Sequence, residues 1–257
     1  KHLEKNLGLE MGDGTGFVEP ARMIKSTTEV ECFRSAAKCT EAGMAAGIEA
    51  VTEGKTENEV VAECYRGLAA AGSEFFSLGP ILTSGDKSGI PHTTFQRRKL
   101  LRGDAVFFEH GGVWHRYTAP LMRTAVVGEP SDGMRRMYDA CAEALEATLA
   151  AIRPGALSED AQAACQAVID KHGYEPNFRR RVGYAVGLSF GPGWPEAHIM
   201  SLGPNDKREL RPGMVFHVPL ALREYGEYAV GVSETVAVTE TGLENITNFS
   251  RDLFIRG

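Results

Sequence analysis

A carboxylate at the end of an apolar strand is the first residue in this sequence whose type and place invite chemistry. The stretch Lys99–Gly128 (KLLRGDAVFFEHGGVWHRYTAPLMRTAVVG) turns at Arg102-Gly103-Asp104, and the run Ala105–Phe108 then leads into Glu109. An ionised side chain there costs several kcal/mol, on the order of a buried-ion penalty, unless a partner meets it. His110, His115, Arg116, Tyr117 and Arg123 all follow closely in the chain. One reading of this cluster is a structural ion pair between strands. The other is the floor of an active site, where a carboxylate serves as base or nucleophile.

The elements that would carry this residue are readable from local signals. Gly111-Gly112 predicts the turn of a hairpin whose second strand runs through Met122–Val127. Upstream, Ser26 and Glu29 form a capping box that opens a helix to about Val51. Thr56 and Glu59 form a second box, for a helix that stops at Gly72. A strand is expected around Phe76–Thr83, followed by a glycine- and proline-punctuated loop. Past Gly128 the pattern returns. A helix starts near Ser131 and runs to Ile152, Pro154-Gly155 breaks it, and Ser158 caps a helix that ends at Gly173.

These two halves share a constant offset of 101 residues: Gly54 against Gly155, Cys64 against Cys165, Gly72 against Gly173. Leu101-Arg102-Gly103 before Glu109 likewise matches Leu210-Arg211-Pro212-Gly213 before Pro219. Fixed-offset similarity marks a duplicated unit. The chain therefore reads as helix–helix–sheet twice, an α+β domain with pseudo-two-fold symmetry. Helices are expected over one face of a curved antiparallel sheet, leaving the other face to a ligand.

Bulk properties exclude several function classes. The 257 residues are 43% hydrophobic and 24% charged, an ordinary globular composition, with a formal charge of −6. Basic residues are scattered apart from Arg179-Arg180-Arg181, so no nucleic-acid partner is expected. No apolar run approaches the ~18 residues of a membrane span, and Lys1-His2-Leu3-Glu4 carries no apolar leader. The five cysteines fall in helical patterns without Cys-x-x-Cys spacing, as small core residues of a reducing compartment do. A cytoplasmic location is the expectation.

Several motifs in order, LRGDAVFFEHG, Leu121-Met122-Arg123-Thr124, RVGYAVGL, LRPGMVF and SETVAVTETG, resemble the pita-bread superfamily. That superfamily holds methionine aminopeptidases, proline dipeptidases and creatinase, and the resemblance covers about residues 23–250. It implies a domain boundary, with residues 1–22 a linker or remnant of an N-terminal domain and 23–257 the pita-bread catalytic domain. A homodimer is also implied. The metallopeptidase members hold two divalent ions on two Asp, a His and two Glu, and those positions fall here on Glu109, Pro120, Tyr184, Pro219 and Ser233. A second family histidine falls on Gly191. Proline offers no donor, and tyrosine and serine are poor ligands for hard ions, so no metal and no cofactor is expected. Glu234, beside Ser233, would restore only one carboxylate.

What survives resembles the metal-free branch, creatinase and ectoine hydrolase, which hydrolyse C–N bonds of small amidine or guanidine compounds bearing a carboxylate. His92, in Gly89-Ile90-Pro91-His92, matches the histidine that the superfamily places near the scissile bond. A cationic amidine needs no metal to be electrophilic, and a carboxylate floor attracts it. Glu109 would then be base for a water or covalent nucleophile, with His92 carrying a proton to the leaving nitrogen. Tyr117, Tyr184, His217 and Glu234 are expected to hydrogen-bond a small-molecule substrate, with His198 a weaker candidate beside Trp194 on a rim loop. Core filling of a vacated metal cavity is the competing role for Tyr184 and His217. Two other functions compete: a proline-specific peptidase, and a binding scaffold without catalysis, in which Glu109 would be locked to Arg123.

Overall fold

The computed structural model describes residues 2–179, 182–188, 190, 193–194 and 196–257. Two short helices, α1 (His2–Leu7) and α2 (Glu19–Met23), precede the first repeat. Its helices are α3 (Thr27–Glu49) and α4 (Glu57–Ala70), each opened by the expected reciprocal capping box. Two orphan backbone donors are satisfied at each start, which fixes where the helix begins. The strand that follows is only β1 (Ile81–Ser84), shorter than the sequence predicts because Phe76–Leu78 lies in an irregular stretch. The hairpin comes next, β2 (Ala105–Trp114) and β3 (Tyr117–Val127).

The second repeat runs through α5 (Asp132–Ala151), capped by Ser131, and α6 (Ser158–His172), which ends on left-handed Gly173. Ser158 is the first helical residue rather than the cap; that position is Leu157, whose backbone N–H is met by Asp160. Then come β4 (Gly183–Ala185), β5 (Ser201–Leu202), the hairpin β6 (Val215–Glu224) and β7 (Tyr228–Val238), and the short β8 (Leu243–Asn245) and β9 (Phe254–Arg256). The duplication is visible in matched backbone bonds. Gly54 N–H donates to Leu100 O and Gly155 N–H to Leu210 O, both at 2.9 Å, with φ of +84° and +83° at the two glycines.

The expected single antiparallel sheet is two sheets, in the orders β1-β2-β3-β9 and β5-β4-β6-β7-β8, and β9 lies parallel to β3. They meet along β3 and β7, where hydroxyls replace a backbone ladder. Met122 N–H donates to Ser233 Oγ at 2.7 Å, Gly231 N–H to Thr124 Oγ1 at 2.8 Å, and Thr235 Oγ1 to Pro120 O at 2.7 Å. Pro120 has no N–H to offer, so side chains complete the seam. The outward residues of both hairpins pack under α3–α6. Val106 and Phe108 face the first helix pair, and Val218, Leu220 and Leu222 face the second. The opposite faces, which carry Glu109 and Pro219, are left to a cavity.

The hairpin turn corrects the sequence reading. β2 continues through Gly111-Gly112, and the chain reverses at His115-Arg116, both left-handed at φ +48° and +69°. The two glycines serve a close approach instead. A Cβ on Gly112 would lie 2.7 Å from Cys39 Cβ of α3, and one on Gly111 would lie 2.7 Å from Thr118 Oγ1.

Candidate active site

Strand periodicity sorts the candidates before any geometry is measured. With side chains alternating, Phe107 and Glu109 of β2 share a face with Met122 of β3, because Glu109 and Met122 are paired in register. On β6 the same face carries His217, Pro219, Ala221 and Arg223. On β7 it carries Gly231 and Ser233, Ser233 being paired with Pro219. These faces enclose a cavity of about 380 Å³, floored by Glu109, Met122, Pro219, Ala221 and Arg223. Tyr184 of β4 forms part of its wall, and Trp194 and His92 also line it.

Glu109 is 7% exposed, and among the described residues no hydrogen bond or ion pair reaches its carboxylate. Burial pushes its pKa up to about 7, against the smaller downward pull of Arg223. None of the residues considered as its partners takes that role. His110 turns to the helix side, 3.3 Å from Thr40 O, and burial lowers its pKa to about 4. The His115 and Arg116 backbones bond Glu74, and the Arg116 guanidinium lies over Phe75. Arg123 is engaged by Glu234, at 2.8 Å.

Arg223 is the cavity residue that the sequence reading missed. It too is 7% exposed, its Nε has no hydrogen-bond partner, and its guanidinium lies 5.5 Å from the Phe107 ring centroid. Desolvation lowers its pKa while Glu109 raises it. The signal was available: in Pro219-Leu220-Ala221-Leu222-Arg223, period-two alternation puts Arg223 on the face of Pro219. A buried carboxylate and a buried guanidinium thus line one cavity without forming an ion pair.

Tyr184 and His217 belong to a hydrogen-bonded chain. Trp194 Nε1–H donates to Tyr184 Oη at 2.9 Å, Tyr184 Oη lies 2.9 Å from His217 Nδ1, and His217 Nε2 lies 2.8 Å from Ser233 Oγ. His217 is fully buried, and desolvation with the nearby Arg123 charge lowers its pKa to about 3. It stands behind Tyr184 and is not itself part of the cavity lining. His92 reaches the cavity from a left-handed backbone at φ +57°.

Three expected substrate contacts lie elsewhere. Tyr117 starts β3, donates to Glu29 Oε1 at 2.7 Å and packs edge-on to Phe33, outside the cavity lining. Its pKa is raised by desolvation and by Glu29. Glu234 follows Ser233 by one residue and therefore points to the other face. There it accepts from Arg123 and Arg251, both at 2.8 Å, and from Thr247. His198 is exposed in the turn beyond Trp194 and does not line the cavity.

Residues 31–240 match metallopeptidase family M24. The chain belongs to this family. Ectoine hydrolase of Halomonas elongata is 34% identical over 95% of this chain and 63% of its own length. The Xaa-Pro dipeptidase of Pyrococcus furiosus is 29% identical over 92% of this chain and 66% of its own length. The chain thus spans less than two thirds of these relatives. The prolidase from Pyrococcus horikoshii superposes with a TM-score of 0.90 at 26% identity, covering 98% of this chain and 71% of that one. With these M24 neighbours the fold is the α+β pita-bread fold.

The metal pair implied by the pita-bread resemblance can be tested against the side chains present. At its five positions stand one carboxylate (Glu109), two prolines without donor atoms, and the hydroxyls of Tyr184 and Ser233, both bonded to His217. Both His217 nitrogens are themselves occupied. Among the described residues, no three His, Cys, Asp or Glu converge as a metal cluster would require. Gly191, at the position of the second family histidine, lies outside the described residues. This donor set does not fit two hard divalent cations.

Proposed function

We propose that this chain carries the catalytic domain of a metal-independent hydrolase that cleaves a C–N bond in a small cationic amidine or guanidine compound bearing a carboxylate. The observation that carries this reading is the Glu109 carboxylate, buried, without a bonded partner and facing a cavity lined by a second buried charge of opposite sign, Arg223. An amidinium would supply Glu109 with the cation it lacks. A substrate carboxylate would likewise supply Arg223 with an anion, since a guanidinium fork matches two carboxylate oxygens.

With the amidinium bound, its charge favours ionised Glu109 over the protonated form. Glu109 then takes a proton from a water molecule, whose oxygen adds to the amidine carbon. The C–N bond breaks as a proton passes to the leaving nitrogen, a transfer assigned here to His92, which lines the cavity. The products are an amide and an amine for a cyclic amidine, or a urea and an amine for a guanidine. Each step uses only water and groups of this chain.

Family membership and the dipeptidase relatives favour a second reading, cleavage of an Xaa-Pro bond. The same experiment separates the two: metal content, together with turnover of ectoine, creatine and an Xaa-Pro dipeptide with and without a chelator. Chelator-resistant hydrolysis of ectoine or creatine without stoichiometric metal is expected. Chelator-sensitive dipeptide cleavage would overturn the proposal. Silence on all three substrates would leave the inactive scaffold.

A further inference from the structure

We propose that Glu57, a buried carboxylate outside the cavity, is a positioning residue for the reaction: it clasps both ends of the 84–96 segment and thereby fixes His92 at the cavity wall.

Glu57 opens α4 and is fully buried. Its Oε1 accepts from Ser84 N–H at 2.9 Å and from Ser84 Oγ at 2.8 Å. Its Oε2 accepts from Gln96 N–H at 2.6 Å and from Lys87 Nζ. One carboxylate thus holds the two ends of the segment on its two oxygens. Lys87 adds an internal tie, because its ammonium also donates to Thr94 O at 3.1 Å, just past His92. His92 itself is left-handed at φ +57°. A residue other than glycine keeps such a backbone only where its surroundings over-determine it.

The helix start does not need this charge, since Thr56 and Glu59 already complete the capping box of α4. The duplicated unit shows what the architecture alone asks for. The offset of 101 residues sets Ser158 against Glu57. Each opens its helix, and each N–H donates to the matching carbonyl, Glu57 to Arg98 O at 3.0 Å and Ser158 to Arg208 O at 2.9 Å. Ser158 Oγ then ties only two neighbouring points, donating to Ser201 O at 3.1 Å and accepting from Gly203 N–H at 3.4 Å. A neutral hydroxyl therefore suffices at this place in the fold. A buried carboxylate carries a desolvation cost that only well-placed donors offset. At Glu57 every one of those side-chain bonds comes from the segment that carries His92.

The role rests on the hydrolase reading for the proton that His92 delivers; the clasp itself does not. The first part of the segment has a second anchor, Ser88 Oγ accepting from Ala229 N–H at 2.9 Å. Loss of Glu57 therefore loosens the later part, residues 92–96, which Gln96 N–H and Lys87 tie to the carboxylate. A serine at this position is too short to bond both ends. Lys87, whose side chain is partly exposed, can then turn to solvent.

Glu57→Ser, the residue of the twin position, tests the clasp without any substrate. Amide hydrogen exchange at residues 92–96 should become about 10-fold faster, the effect of losing one bond that holds the loop closed, with β2 and β3 unchanged. Unchanged exchange would overturn the proposal even if the hydrolase reading stands. On whichever panel compound the protein hydrolyses, kcat should fall about 10-fold, part of the roughly 100- to 10,000-fold that a placed general acid supplies. KM should stay within about twofold. His92→Ala then separates positioning from general stability: in that background Glu57→Ser should lower kcat no further, because it acts through His92. Additive losses would overturn the proposal. Should Glu57→Ser not fold, Lys87→Met cuts the tie to Thr94 and leaves Ser84 and Gln96 bonded to the carboxylate. It is expected to give faster exchange and the same non-additivity, and the absence of either would overturn the proposal. Failure of every panel compound would count against the hydrolase reading alone, and the exchange rates would still decide the clasp.

Discussion

Glu109 and Arg223 carry opposite charges on the lining of one cavity, yet no ion pair joins them. For neither group does the described protein supply a bonded counter-ion, although Arg223 still draws the Glu109 pKa downward through space. A pair built for stability would be in contact, since desolvation of each ion is repaid only by close geometry. Separation is what a site needs if a zwitterionic ligand is to lie between the two charges.

Replacing Arg223 should therefore act on two readouts at once. Arg223→Met is expected to raise KM about 100-fold, because truncating one partner of a buried, hydrogen-bonded charge pair costs roughly 2–5 kcal/mol. It also removes the one charge that lowers the Glu109 pKa, so the acidic limb of kcat/KM should move to higher pH. A full pH profile of the variant checks both. A raised KM with the limb unmoved would mean that Arg223 does not sense Glu109.

Glu109 itself predicts an unusual stability profile. Its pKa is about 7 in the folded protein against an ordinary value of 4.5, so the folded state holds a proton that the unfolded state has released. Stability is then highest below about pH 4.5, declines as pH rises through 4.5 to 7, and is flat above, with a total loss of about 3 kcal/mol from this group. Glu109→Gln should abolish hydrolysis and remove that decline, leaving the variant more stable than the wild type at pH 8. Thermal melts from pH 5 to 8 test this. Equal slopes in the two proteins would show that the carboxylate is not held in a dry site.

How far the sequence could be read differs by element, for physical reasons. Helix starts were legible because a capping box is a local exchange of two hydrogen bonds, complete within Ser26–Glu29 or Thr56–Glu59. The duplication was legible because equivalent glycines repeat at one offset. The hairpin turn was not. Gly111-Gly112 has the composition of a turn, but Gly111 makes room for Thr118 across the hairpin and Gly112 for Cys39 of α3, a contact made by a residue more than 70 positions away in sequence. Tyr117 was drawn off by Glu29, a partner just as distant in the chain. Glu109, His92 and Tyr184 line one cavity and each stands in a motif, but Arg223 belongs to no motif, and only strand alternation could have found it. The same alternation excludes Glu234, since a one-residue step along a strand changes face.

Glu234 should accordingly matter for folding. It is 1% exposed and receives hydrogen bonds from Arg123 and Arg251, and Arg123 is fully buried. Glu234→Ala leaves the Arg123 guanidinium without its counter-charge, a loss of about 3–5 kcal/mol. Denaturant unfolding should register that loss, while kcat of the fraction that remains folded stays within a few-fold of wild type. A stable variant with normal unfolding and lost activity would restore Glu234 to the active site.

The seam between the two sheets offers the last test, because there the cavity floor depends on a missing side chain. Gly231 exchanges backbone hydrogen bonds with Thr124 Oγ1, and a Cβ at this position would lie 2.5 Å from Met122 Sδ and 2.6 Å from Phe107 Cε2. Met122 can swing its thioether, but the direction left open is the cavity it already lines. Phe107 is 1% exposed and carries Arg223 over its ring, so its displacement moves the guanidinium as well. Gly231→Ala should cost about 1–3 kcal/mol of stability through overpacking. It should also raise KM about 10-fold on the hydrolysed compound, the effect of about 1.4 kcal/mol in binding. The two effects are separable: unfolding measures the seam, and KM measures the cavity. A destabilised variant with wild-type KM would mean that Met122 and Phe107 do not shape the space in which the substrate lies.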